Sequence, residues 1–220
     1  TFKETYGGSA HILSFGPEAS RDTLQRAVGM GADDATLVVD PFDGELDTSG
    51  TAEVLMAALE RLGGCDIVVC GEASDDGASY QVGPLLAGKL GWPQVTYVRS
   101  FEVEDGVMVA ERDLGESIER VKVELPALIT VTEETNSPRS PTLMEVLQAK
   151  ERPFNEWELE ADLGLSPEDL RTAPSLELLS TEGLGGERKQ LLWRDKAGTE
   201  FANKVVDFLV QEEVLEERSP

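Results

Sequence analysis

Histidine, cysteine and positive charge are all scarce in this chain, which has one His, two Cys and 19 basic residues among 220. One His and two Cys are too few to complete a zinc site. Cys65 and Cys70 flank a short apolar run and read as core thiols in a reducing compartment rather than as a disulfide. No stretch approaches the roughly 20 apolar residues that cross a bilayer, so direct membrane insertion is not expected. The chain opens at Thr1 with no basic-then-apolar leader, and a cytoplasmic location is the expectation. Acidic residues number 43, giving a formal charge of −24. That balance would repel phosphate backbones and excludes free nucleic acid as a partner. Only seven of the basic residues are Lys. An acid-rich, lysine-poor surface suits a protein living at high salt, where mobile ions screen self-repulsion; an ordinary acidic surface is the alternative.

What is present is a strong alternation. Ala10–Phe15, Thr36–Val39, Asp66–Cys70 and Gln94–Val98 are short apolar runs. Between them lie helical patterns over Glu18–Met30, Thr51–Leu62 and Tyr80–Leu90, each closed by glycine. This rhythm predicts an α/β fold with a mainly parallel sheet covered by helices on both faces. Apolar–polar alternation around Asp105-Gly106 predicts a hairpin, and Val121–Glu124 and Ala127–Val131 add strands, so an antiparallel extension follows. After Thr132 come a polar loop, a short helix over Leu143–Lys150, a helix start at Ser166-Pro167 and a final helix over about Thr199–Val214. The expected division is a sheet domain over 1–150 and an arm over 151–220. From pattern alone the arm either wraps another chain or folds back as a helical subdomain.

The segment following the third strand carries the most chemistry. Gly71, Gly77 and Gly83 let the backbone turn and approach a ligand, at the carboxyl end of a parallel strand and the start of a helix. Such places bind anions through peptide amides and the helix dipole. No Lys or Arg lies between Arg61 and Lys89, so phosphate would rest on amides and on hydroxyls such as Ser74 and Ser79. The pattern is neither G-x-G-x-x-G nor a loop ending in G-K-[ST], and a ligand-free turn is the alternative. Elsewhere no catalytic constellation emerges. His11 sits mid-strand and reads as structural, and neither Cys nor Ser79 has nucleophile context. The residues favour a binding protein over a hydrolase or transferase.

Four motifs then stand in order: DIVVCGEASDD from residue 66, YQVGPLLAGKLGWPQVT from 80, AERDLGESIERVKVELPALITV from 110, and TNSPRSPTLMEVLQAKERPF from 135. This run resembles the beta subunit of electron transfer flavoproteins. The family shows an apolar strand with G-x-x-x-x-D, then Q-x-G-x-x-x-A-x-x-L-x-W-P-Q. An E-R-x-x-x-x-G-x-E box running into L-P-A-x-x-T and N-x-P-R-x-x-x-L-x-x-x-x-x-A-K follow. HILSFGPEASRDTLQRAVGMGADDATLV from residue 11 and LGLSPEDL from 163 are also similar to the family, so the resemblance covers nearly the whole chain.

The resemblance implies a Rossmann-like, adenine-nucleotide-binding domain paired with an alpha subunit that holds most of an FAD. It also implies a structural AMP in this chain, or a second flavin there in members that bifurcate electrons. The AMP loop carries onto Gly71, Ser74, Asp75, Asp76, Gly77, Ser79, Gln81 and Val82, although Asp75-Asp76-Gly77-Ala78 departs from the family's acidic triplet with Cys or Ser. Arg112 stands where the family places an arginine facing the flavin domain, and Asp113 where an acidic residue engages it. Leu143 matches the leucine that enters an apolar pocket on a partner dehydrogenase; capping its own helix is the alternative. The family's members begin roughly 50 residues earlier, with a strand whose loop also contacts AMP.

The implied role is an electron carrier rather than an enzyme. It would take electrons from acyl-CoA dehydrogenases or other flavin dehydrogenases and pass them to a quinone reductase. A stand-alone adenine-nucleotide enzyme of related architecture, such as an ATP-splitting ligase, is the second reading. A homodimeric nucleotide-binding module is the third, and the long arm fits it poorly. High-salt adaptation predicts a lower melting temperature after dialysis into dilute buffer; equal stability at low salt would refute it.

Overall fold

The computed structural model describes residues 2–42, 44–75, 77–172 and 198–212. Contacts divide the chain into Thr1–Leu179 and Ser180–Pro220. The first unit starts with α1 (Phe2–Tyr6), β1 (His11–Gly16), α2 (Arg21–Gly29), β2 (Asp34–Val39) and α3 (Thr48–Leu62). Asp47 caps α3 by accepting from the Gly50 amide at 2.7 Å, and Gly63 ends it in the left-handed region at φ 91. Then follow β3 (Ile67–Gly71), α4 (Val82–Leu90), β4 (Gln94–Glu104), β5 (Val107–Asp113), β6 (Ile118–Glu124) and β7 (Ala127–Val131). The unit's later elements are α5 (Leu143–Ala149), β8 (Phe154–Trp157), α6 (Leu159–Leu163) and α7 (Pro167–Thr172).

The α/β class read from the alternation is the one observed, and its strands form two sheets. One has the order β1-β2-β8, all parallel; the other has the order β3-β7-β4-β5-β6. In the second sheet, β3, β7 and β4 run parallel, and the β4-β5-β6 meander is antiparallel. Asp105 and Gly106 join β4 to β5 with φ of 50 and 77. Two left-handed residues make the tight hairpin that the Asp-Gly pair predicted.

Central strands are buried and edges are not. Leu37 and Val38 of β2 are fully buried, as are Leu128 and Ile129 of β7. Each such side chain contributes about 1.5–3 kcal/mol. β1 and β3 each pair on one side only, and Val69 of β3 is 54% exposed. Helix α3 joins the two sheets. Its Val54 and Ala58 pack with Val38 and Phe42 of the first sheet's layer. Its Ala52 packs with Leu86, Ala87 and Leu128 of the second.

The expected boundary at residue 150 does not coincide with a break in packing. β8 pairs with β2 in parallel register, Ala35 opposite Phe154. Leu159 of α6 is buried against Val38 and Val54, with Leu163, Leu165 and Leu170 packed around it. Arg61 donates to the Asp162 carbonyl at 2.6 Å and lies over the Trp157 ring. The apolar residues of 154–170 thus join the core of the body. In the second unit, α8 (Thr199–Gln211) carries Phe201, Val205, Phe208 and Leu209 at helical spacing on one face. The part of the expected arm at 173–197, and the end of the final helix beyond 212, lie outside the described residues.

The thiols differ from the expectation too. Both cysteines are free, but Cys65 is exposed at the turn after α3, and only Cys70, half-buried, packs against the core. His11 is structural as read: its Nε2 lies 3.0 Å from Thr36 Oγ1 and its Nδ1 contacts Asp34.

Helix α4 packs closely on β7, because a Cβ at Gly83 would stand 2.6 Å from the Thr130 methyl. Gly83→Ala is therefore expected to destabilise the protein by about 1–3 kcal/mol through overpacking. Thr130→Ser, which removes that methyl and keeps the hydroxyl, should recover most of the loss in urea titrations. A neutral Gly83→Ala would show that the helix can simply move away.

Candidate nucleotide and flavin-facing site

The candidate site is built on the carboxyl ends of β3 and β7, the side from which parallel sheets reach ligands, with Tyr97 and Val98 of β4 alongside. Gly71 ends β3, and Val82 and Gly83 begin α4. Between them the loop is held by its own hydroxyls. Ser74 accepts from the Gly77 amide at 3.4 Å with its hydroxyl, and from the Ala78 amide at 3.0 Å with its carbonyl. The Ser79 hydroxyl accepts from the Gln81 amide at 3.4 Å. The Glu72 amide donates back to the Val131 carbonyl at 3.1 Å, pinning the loop's start to β7.

Some roles differ from those assigned by sequence. The turn's left-handed residues are Ala78 and Tyr80, with φ of 41 and 58, rather than Gly71 or Gly77. Gly83 is needed for close helix–strand packing, the third use of glycine in nucleotide loops. The Gln81 side-chain carbonyl accepts from Thr48 Oγ1 at 2.9 Å, which ties the loop to the start of α3. Asp75 is exposed, and Asp76 lies outside the described residues.

Tyr80 brings in a neighbour that the sequence reading passed over. Its ring lies 6.2 Å from that of Tyr97. Tyr97 has φ 58 in the middle of β4, where the pairing with β7 shifts register between Val95 and Val98. A non-glycine residue in that region costs about 1–3 kcal/mol and persists only where its surroundings enforce it. Here Thr130 does so, its hydroxyl accepting from the Tyr97 amide at 3.1 Å.

Arg112 pairs with Val98, which pairs with Val131, so its backbone lies level with the end of β7. Its Nη2 donates to Thr96 Oγ1 at 3.0 Å, and its Nη1 stands 3.7 Å from the Glu119 carboxylate. Its Nε is buried with no acceptor, and so is the hydroxyl of Thr132 just beyond β7. An orphaned guanidinium N–H at this edge has capacity for an anionic or carbonyl oxygen. Asp113 accepts from the Gly115 amide at 2.7 Å and lies 4.0 Å from Arg99.

The implied groups can be tested against these features. Gln81 makes no side-chain cap on α4, which leaves that helix's positive end uncapped by a side chain beside the loop. With no basic residue in the loop, the donor set suits a single phosphate held by amides better than a triphosphate. The residues present therefore fit AMP. The Arg112 Nε fits a flavin oxygen or phosphate brought by a partner. Among the described residues no cluster of His, Cys, Asp and Glu could hold a metal. No described helix is long and apolar enough to cross a membrane.

Leu143 stands apart from this edge, on α5, which packs against α2 rather than on the ends of β3 and β7. It is 75% exposed, with Met144 at 62% and Leu147 at 50% beside it. Thr142 and Glu145 form a capping box at the start of α5. The Thr142 amide, and then Arg139, hold the Glu145 carboxyl down to about 2. A carboxylate lowered on folding stabilises the folded form above its unfolded pKa, and loses that contribution as pH falls toward about 2, so this cap stays charged at physiological pH. The T-x-x-E spacing was legible in the sequence but not read. A cavity of about 320 Å3 lies elsewhere, lined by Ser49, Glu53, Lys89 and Ser166 among others, and its lysine is paired with Glu53.

These features define an α/β protein with a glycine-bearing loop at the carboxyl end of β3 and an exposed apolar tip on a separate helix. A family model described as the electron transfer flavoprotein domain matches residues 1–162. The chain belongs to the electron transfer flavoprotein family, within its beta-subunit branch. It is 34% identical over 213 residues to an electron transfer flavoprotein subunit beta of Thermoanaerobacterium thermosaccharolyticum, covering 96% of this chain and 76% of that one. A protein with the same description from Clostridium acetobutylicum is 32% identical over 219 residues, covering 97% and 82%. The subunit CarD of a caffeyl-CoA reductase–Etf complex from Acetobacterium woodii is 34% identical over 165 residues. That match takes in 75% of this chain and 63% of that protein.

Burial pushes the Cys70 thiol up to about 11. Below that value the protonated, poorly nucleophilic form dominates. Burial and then the Asp66 carboxylate raise Cys65 as well, but it is the exposed thiol, so iodoacetamide at pH 8 should modify Cys65 well before Cys70. Labelling of both thiols at equal rates in the folded protein would contradict the burial of β3's inner face.

Proposed function

We propose that this chain is the beta subunit of a heterodimeric electron carrier in the cytoplasm. The alpha subunit would hold most of an FAD, and the loop over Gly71–Val82 would hold AMP. The observation that carries this reading is the loop itself: it closes over the carboxyl end of β3 with its own hydroxyls, beside a helix start without a side-chain cap. FAD, when bound, supplies the redox chemistry. This chain's part is to fix the adenylate, to place Arg112 at the flavin-facing edge and to dock electron donors. It breaks no bond of its own.

Two surfaces fit the partners. Leu143, Met144 and Leu147 form an apolar tip suited to a pocket on a flavin dehydrogenase, since a stiff helix loses little entropy on docking. Acyl-CoA dehydrogenases are the favoured donors, and a relative named for a caffeyl-CoA reductase complex supports a donor that handles CoA thioesters. A quinone reductase is the proposed acceptor. The apolar face of α8 is the proposed grip on the alpha subunit. A stand-alone ATP-splitting enzyme is disfavoured by the absence of Lys and Arg from the loop.

Co-expression with the alpha subunit should give a yellow heterodimer that releases FAD and AMP on denaturation, as read by mass spectrometry. ATP, or a colourless stable monomer, would overturn the proposal. Arg112→Ala should shift the flavin reduction potential while leaving AMP content unchanged. An unaltered potential would remove Arg112 from the flavin-facing role.

A further inference from the structure

Apart from the candidate nucleotide edge, a cluster of polar contacts surrounds the exposed end of α5. Arg139 lies in the loop before that helix. Its Nη1 donates to Glu145 Oε1 at 2.8 Å, and its Nη2 donates to the Met30 carbonyl at 3.0 Å. Met30 is the C-cap of α2, so its carbonyl belongs to the negative end of that helix, where a cation is favoured. The other Glu145 oxygen accepts from the Thr142 amide at 2.7 Å and from the Thr142 hydroxyl at 2.9 Å. The Glu145 amide donates to the Thr142 hydroxyl at 3.3 Å, closing the capping box. One guanidinium thus fastens the first turn of α5 to the last turn of α2.

The packing beneath this clamp is tight but narrow. A Cβ at Gly29 would lie 3.5 Å from the Glu145 carbonyl, 3.5 Å from Pro141 and 3.7 Å from Ala149. Ala149 is the only buried residue of α5. Leu143, Met144 and Leu147 face outward. A seven-residue helix is too short to hold itself in water, so its orientation depends on the cap, the Gly29 contact and Arg139.

We propose that Arg139 is a positioning residue for partner docking, fixing the direction in which α5 presents Leu143, Met144 and Leu147. It does so by joining Glu145 to the carbonyl end of α2. This rests on the reading that α5 docks a dehydrogenase. The ion pair itself is solvent-exposed, with side chains 49% and 32% accessible, so its loss should scarcely move global stability. What changes is the order of one turn. An anchor that must be ordered at the moment of docking binds more weakly than one already in place.

The test uses the FAD-loaded heterodimer, with an acyl-CoA dehydrogenase that reduces the unsubstituted protein as the electron donor. Arg139→Ala should speed amide hydrogen exchange across residues 143–149. It should raise the KM for the flavoprotein by on the order of tenfold at unchanged kcat, with FAD content and melting temperature unaltered. Arg139→Lys, which can reach only one of the two acceptors well, should fall between. In a Leu143→Ala background, Arg139→Ala should add little, because both act through the same contact. Unchanged KM and exchange in Arg139→Ala, with Leu143→Ala still raising KM, would overturn the inference and leave the docking reading standing. If Leu143→Ala itself leaves KM unchanged, the docking reading falls and takes this inference with it.

Discussion

At residue 83, helix α4 approaches β7 so closely that only a hydrogen fits against the Thr130 methyl. The candidate nucleotide edge is organised around this contact. The approach fixes where α4 begins, and so where the preceding loop must close. The loop spans from Gly71 to that point, and its hydroxyls at Ser74 and Ser79 gather its own amides as it turns. Thr130 acts on both sides of β7. Its methyl meets α4, while its hydroxyl accepts the Tyr97 amide and holds β4 in its left-handed kink. The kink brings Tyr97 against Tyr80, which closes the loop's far end. One threonine therefore couples the loop after β3 to the strand that pairs with Arg112.

The two candidate regions are held by different physics. The edge at the ends of β3 and β7 is maintained by backbone geometry and by a core of fully buried aliphatic residues in β7 and β4. The α5 tip is maintained by exposed charge: a capping box, an arginine and a helix terminus. A buried strand end changes little with solvent conditions, whereas a surface clamp weakens with salt. In a chain with a net charge of −24, that sensitivity bears on the α5 tip first.

Much of the fold was legible because its signals are local. The apolar runs at 36–39, 66–70 and 127–131 sit close to the observed strands, and Asp105-Gly106 dictated its turn. The separation into two sheets was not legible, since pairing is a long-range property that periodicity does not encode. β8 was missed because Phe154–Trp157 is four residues long and half polar, and becomes a strand only by pairing with β2. In the candidate site, the glycines pick out the loop after β3, but the structure gives them other roles. Gly83 matters for what it packs against, and the left-handed positions fall on Ala78 and Tyr80. Nothing in the run QVTYV announces that Tyr97 is kinked; that conformation comes from the register shift with β7. Arg139 lay within a motif that marked the family, but its partners at residues 30 and 145 meet it only in the folded chain.

The central claim is that this loop clasps adenylate through its backbone. The most direct measurement is amide hydrogen exchange on the heterodimer stripped of nucleotide, with and without added AMP. The account predicts slowed exchange in residues 71–83, while the amides of α5 remain unchanged. Absence of protection in that loop, or protection confined to another part of the chain, would contradict it.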